Sequence, residues 1–134
     1  MPVIGFGFDK INVEKKESLK EYKVKNNINV LTIEESKLQI GKDSKPAIRA
    51  LFEFIVDYEK AGKVELKGFL MYFDTETKIK EILDGWKKEE KLPSDFGALL
   101  YNQVINKSTI KALELEESVG FPMHIVLPKV QPKK

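Results

Sequence analysis

At 134 residues, 42% of them hydrophobic and 33% charged, the chain has the length and composition of one folded domain, and no stretch is both apolar and long enough to cross a bilayer. The absence of cysteine excludes disulfides, thiol catalysis, iron–sulfur clusters and Cys-based zinc sites, and the single His124 excludes any site that needs two imidazoles. The net charge is +2 and just one of the 23 basic residues, Arg49, is an arginine, the residue suited to bidentate contacts with bases, so sequence-specific reading of nucleic acid is not expected.

One domain over residues 1–134 is therefore the expectation. The opening "MPVIGFGFDK" has no basic run before its apolar residues, which argues against a secretory signal and for a cytoplasmic protein. Abundant Lys and Glu lean towards a thermophilic source.

In chain order, Val3 to Val13 alternates with a change of phase. Ile4, Phe6 and Phe8 share one parity, and Ile11 and Val13 share the other. Strand side chains repeat every two residues, so the shift at Asp9–Lys10 predicts a bulge or bend that hands the strand from one packing surface to another. A charged connector, Lys15 to Tyr22, follows. Val24 to Ile33, with Ile28, Val30, Leu31 and Ile33, reads as a second strand, and "GKDSKP" as a turn.

The clearest local signal is "LFEFIVDYEKAGKVELKGFLMYF". Phe52, Phe54, Val56 and Tyr58 lie on one parity, "EKAGK" supplies a Gly-containing loop, and Val64, Leu66, Leu70 and Tyr72 resume the alternation, which predicts an antiparallel hairpin. Its second face carries Asp57, Glu65 and Lys67 near the turn and Ile55, Phe69, Met71 and Phe73 towards the open end, so part of that face is expected to be covered.

After the cap candidates Asp74 and Thr75, the spacing Ile79, Ile82, Leu83, Trp86 is that of an amphipathic helix, stopped near Leu92–Pro93. A second helix, capped by Ser94 or Asp95, carries Ala98, Tyr101, Ile105, Ser108, Ala112, Leu115 and Val119 at alternating steps of three and four, widened by Phe96, Leu100 and Val104 with Leu99, Ile110 and Leu113. Gly120 and Pro122 end it. The segment "SVGFPMHIVLPKV" is then expected to be an extended strap, with Phe121, Met123, Ile125 and Leu127 on one row and His124 and Val126 facing the other way.

Most local motifs reduce to structure. "GFGF" lacks the third Gly and the following helix of a phosphate loop, and "GKDSK" lacks the upstream Gly of a P-loop. His124 has no second ligand and no nucleophile motif, and Glu116–Glu117 and similar neighbours read as solvated charge, so neither a catalytic residue nor a metal or cofactor site is expected. Lys10 to Lys25 holds six lysines against three glutamates, which leaves non-specific nucleic-acid contact as a lesser alternative. What remains is an excess of aromatic and Met side chains. Phe6, Phe8, Phe69, Met71, Phe73, Trp86, Phe121, Met123 and Ile125 form the candidate apolar groove or interface, the residue types enriched at oligomer contacts and adaptable binding surfaces.

The order of "IGFGFDKINVE", "INVLTIEES", the long hairpin, the helices and "VGFPMHIVLPKV" resembles that of the SecB-like export chaperones. The resemblance implies an α+β fold, a four-stranded antiparallel sheet with two helices packed on one side and an extended C-terminal apolar segment. It also implies a homo-oligomer that holds unfolded or extended polypeptide in apolar grooves without ATP, with Trp86, Phe121, Met123 and Ile125 and aromatics of the first and fourth strands lining the groove. Classical members are acidic and dock a translocation motor through that charge. This chain is slightly basic, so motor coupling is not carried over. The alternative expectation is a non-enzymatic, oligomeric ribosome- or RNP-associated factor.

Overall fold

The computed structural model describes residues 3–16 and 23–125. Most of the predicted connector, and the strap beyond Ile125, lie outside the described residues.

Four strands and two helices follow one another: β1 (Val3–Lys15), β2 (Lys25–Ile40), β3 (Asp43–Asp57), a 3-10 turn at Glu59–Ala61, β4 (Gly62–Tyr72), α1 (Glu76–Glu89) and α2 (Ser94–Val119). The strands form one antiparallel sheet in the order β1-β4-β3-β2. The predicted hairpin is its centre, and Phe52, Phe54, Val56, Tyr58, Val64, Leu66, Leu70 and Tyr72 are all buried on one face. Strand β2 runs further than predicted, because the turn is confined to Gly41–Lys42 and Asp43–Pro46 pair with Lys37–Ile40.

The phase change in β1 is a one-residue bulge between Phe8 and Lys10. Its effect is the opposite of the expected hand-over. Phe6 and Phe8 oppose Leu70 and Gly68, and beyond the bulge Ile11 and Val13 oppose Leu66 and Val64, so both halves lie over the same face. One extra residue reverses the parity of everything after it, and here it cancels the reversal already written in the sequence. A second shift between Val30 and Thr32 does the same in β2, leaving Leu31 exposed while Val30 and Ile33 both face the core.

Both helices cover that face. Thr75 caps α1 through its side-chain oxygen, which accepts from the Lys78 amide at 3.3 Å, and Ile79 and Ile82 are buried. In α2 the buried row is Phe96, Leu100, Val104, Ser108, Ala112 and Glu116, a strict step of four. Four residues at about 100° each overshoot a full turn by about 40°, so the row winds around the helix and α2 crosses the sheet obliquely. Ala98, Tyr101, Ile105 and Ile110, expected on the packed stripe, are consequently exposed.

The crossing divides the core. The N-terminal half of α2 packs with α1 on Ile48, Ala50, Phe52, Leu70 and Tyr72, and its C-terminal half covers a second cluster of Phe54, Val56, Tyr58, Ala61, Val64 and Leu66 with Phe121. Each large apolar side chain removed from water in this way contributes about 1.5–3 kcal/mol.

The start of the helical layer is tied by acids. The Tyr72 hydroxyl donates to Asp74 at 2.6 Å, the Thr75 amide donates to the other oxygen at 2.8 Å, and Lys78 pairs with Asp95 at 2.8 Å. The Tyr72 hydrogen bond holds the Asp74 carboxyl below its ordinary value, and Lys78 does the same for Asp95. Folded carboxyls held low stabilise the fold above their unfolded pKa of about 3.9, and that contribution is lost as pH falls through the folded value. Asp74→Asn is therefore expected to flatten the loss of stability between about pH 5 and pH 2 in urea melts. Parallel acid limbs for variant and parent would contradict this account.

Candidate functional site

The distinctive local structure is the segment that leaves α2. Gly120, in the left-handed conformation (φ +78°), ends the helix: its amide donates to the Glu117 carbonyl at 3.3 Å and the Phe121 amide donates to Glu116 at 2.8 Å. This is the paired bonding of a glycine C-cap, and Pro122 then forbids another helical turn. Lys15, at the end of β1, donates to the Val119 carbonyl at 3.0 Å and adds a positive charge at the helix C-terminus.

The chain next turns down onto the second cluster. Phe121 is 5% exposed and lies flat on Tyr58, with ring centroids 4.4 Å apart and planes 21° from parallel. Beneath its edge is Gly62, where a Cβ would stand 2.9 Å from the ring. The Tyr58 hydroxyl lies between the Pro122 carbonyl and the Glu116 carboxylate, 3.0 Å from the latter.

Glu116 is the hub. Besides Tyr58 it accepts from the His124 backbone amide at 3.1 Å, and His124 Nδ1 lies 2.5 and 2.9 Å from its two oxygens. Both side chains are 0% exposed, and the imidazole sets its edge against Phe54 at 5.9 Å. His124 Nε2 is buried without a hydrogen-bond partner. Glu116 is thus a buried acceptor and not the solvated charge expected from its neighbour Glu117.

The row predicted for the strap is split by this contact, since Phe121 is buried while Met123 and Ile125 are not. His124 points inward, while Met123 and Ile125 point out, 48% and 38% exposed. Tyr58 and Glu116 were not among the predicted site residues. A signal for Glu116 existed, since it continues the four-residue row from Phe96 through Ala112.

Beside the strap, Leu113, Phe121, Pro122 and Met123 line an open groove of about 560 Å³ with Glu114 and Glu117 at its lip. That volume lies within the range of small-ligand pockets. Ile110, one turn earlier on α2, is 69% exposed.

The predicted groove residues fall in four places. Phe6 and Phe8 pack around Phe52, at centroid distances of 5.2 and 6.1 Å, and Trp86 joins the same first cluster from α1. Phe69 and Met71 face the other side of the sheet, half buried, with the Arg49 guanidinium 4.9 Å above the Phe69 ring. Phe73 lies past the end of β4 beside Pro46 and Asp74. Phe121, Met123 and Ile125 belong to the strap, and of the nine predicted residues only Phe121 and Met123 line its groove.

On the sheet face opposite the helices, charges alternate. Glu65 accepts from Lys10 at 2.8 Å and Lys63 at 3.3 Å, and Lys67 lies 3.8 Å from Glu53. Its bond to Lys10 holds the Glu65 carboxyl below its ordinary value and raises the Lys10 amine. These lysines face carboxylates, which a phosphate backbone would have to displace. Among the described residues no helix is long and apolar enough to cross a membrane, and no group of three or more metal-ligating side chains occurs.

No family model and no curated protein matches the sequence. Among solved structures, the fold is similar to the Mycobacterium tuberculosis SecB-like chaperone Rv1957, determined in complex with a ChAD peptide from the Rv1956 HigA1 antitoxin. The TM-score is 0.52 at 9% identity, over 98% of this chain and 92% of that one. At that identity the likeness is one of fold.

Proposed function

We propose that this protein binds extended apolar segments of other polypeptides without ATP, as a cytoplasmic holdase or protein-interaction module that works as a homo-oligomer. The observation that carries the reading is the groove at the end of α2 that Leu113, Phe121, Pro122 and Met123 line. Exposed apolar patches of this kind mark interaction sites. The fold shared with a peptide-bound chaperone supports the same class of ligand.

The groove also suggests a preference. Glu114 and Glu117 at its lip would attract a client segment in which Lys or Arg neighbours the apolar side chain, and Lys111 offsets only one of them, at 3.3 Å from Glu114. The test is light scattering of a heat- or denaturant-unfolded model protein diluted into buffer with this protein. Suppression should approach completion near stoichiometric ratio and should not respond to added ATP. Scattering unchanged at a several-fold excess would refute the reading.

A further inference from the structure

The seat under Phe121 has the construction of a side-chain receptor that the chain fills itself. Tyr58 supplies a flat aromatic floor at 4.4 Å, and Gly62 leaves empty the space into which the ring edge projects. The segment that fills the seat belongs to neither helix nor strand. It joins the described fold covalently only through α2, and Glu116 and His124, eight residues apart, close it back onto that same helix. Among the described residues, and apart from the Lys15 bond to the Val119 carbonyl, its polar ties to the sheet layer converge on the Tyr58 hydroxyl. Lifting the strap would therefore leave every strand pair and both helices intact, the condition for a local opening that costs far less than global unfolding.

The holding contact is also unevenly satisfied. Three donors converge on Glu116, while His124 Nε2 is buried with no partner. A buried polar network with one member unmet holds a conformation less firmly than a complete one. The groove outside shares Phe121 and Pro122 as lining, so a chain lying in it adjoins the seat directly.

The geometry points to an autoinhibitory strap: the Phe121 seat is a binding site for an aromatic side chain of an extended polypeptide, occupied in the free protein by the chain's own Phe121–Pro122 and held shut by the Glu116 clip. This rests on the polypeptide-binding reading above and assigns it a specific receptor and a gate. A client competes with the strap, so its apparent affinity is reduced by the fraction of molecules in which the strap is open, and loosening the clip raises it.

The test uses the full chain and a fluorescein-labelled peptide of the strap's own sequence, "SVGFPMHI", with a second peptide carrying serine in place of the phenylalanine. Anisotropy titrations are run with the parent, with Glu116→Gln and with Tyr58→Phe, two shape-preserving changes that weaken the clip from opposite sides. Circular dichroism establishes that each is folded, and having two variants leaves one to decide if the other does not fold. The clip variants should bind the phenylalanine peptide about tenfold more tightly than the parent does, the effect of losing one charge-assisted hydrogen bond, and should bind the serine peptide no better than the parent. Folded clip variants that gain no affinity, or that gain equally for both peptides, would overturn the proposal. Aggregation suppression by the parent is measured alongside. Suppression without a gain in the variants sinks the strap and leaves the holdase reading standing; a phenylalanine-dependent gain without suppression supports the seat and sinks the holdase reading.

Discussion

Gly62→Ala is expected to cost about 3–5 kcal/mol, close to the whole stability of a marginal domain. Two effects add. The backbone at Gly62 has φ +142° and ψ −163°, a region essentially restricted to glycine, where a side chain costs about 1–3 kcal/mol. Separately, the new Cβ would stand 1.9 Å from the Glu14 carbonyl oxygen and 2.9 Å from the Phe121 ring. The first of these is backbone, paired in the ladder where Lys15 meets Gly62, and it cannot rotate away. The end of β1 must move, and with it Lys15 and its bond to the α2 C-terminus. Urea denaturation of the variant against the parent measures the loss. A change under about 1 kcal/mol would show that the β1–β4 end yields easily, and that the fit of strap, strand and turn around Gly62 is loose.

Glu116→Leu is the second large effect, expected at about 2–4 kcal/mol. The leucine is apolar and of similar volume, so little is lost in packing. What is lost is the acceptor for the His124 amide, for His124 Nδ1 and for part of the Tyr58 hydroxyl, the last two on buried side chains. Each buried donor left unmet costs about 1–3 kcal/mol, and the Pro122 carbonyl can still serve Tyr58. Replacing His124 as well, by phenylalanine, removes one stranded donor and should restore part of the loss, since an apolar pair can substitute for a buried polar one. The double-mutant cycle should therefore give a coupling of at least about 1 kcal/mol. Additive losses would mean that the two side chains act independently despite their 2.5 Å approach.

The hairpin and both helices were legible because they depend on local periodicity. Phe52 to Tyr58 and Val64 to Tyr72 alternate cleanly, and Ile79 to Trp86 carries a helical stripe. The bulge at Asp9 was legible as an event but not in its consequence, since the face on which Ile11 falls depends on the register with Leu66, a partner far along the chain. In α2 two rows competed. The crossing angle over the sheet chose Phe96 through Glu116 and left Tyr101, Ile105 and Ile110 outside, and that angle is a tertiary quantity.

The candidate site was legible in its residue types and only partly in its arrangement. Phe121 was singled out for its neighbours Gly120 and Pro122, and the strap follows from them. That Phe121 and His124 both face inward did not follow, because a two-residue alternation assumes an extended chain, whereas the segment bends at His124–Ile125 and is drawn inward by Glu116. Aromatics that look alike in sequence were distributed by sheet parity: Phe6 and Phe8 to the helix side, Phe69 to the other.

The central claim is that the groove between α2 and the strap takes extended polypeptide. Its most direct measurement is a binding titration with a model protein kept permanently unfolded by reduction and alkylation, read by light scattering coupled to size-exclusion chromatography. The account predicts a complex whose mass equals the protein's own assembly plus bound client, with a Kd of about 10 µM or tighter. It also predicts weaker binding when Met123 and Leu113 are both changed to serine. A folded parent protein that elutes at its own mass beside free client, at concentrations well above that value, would contradict it.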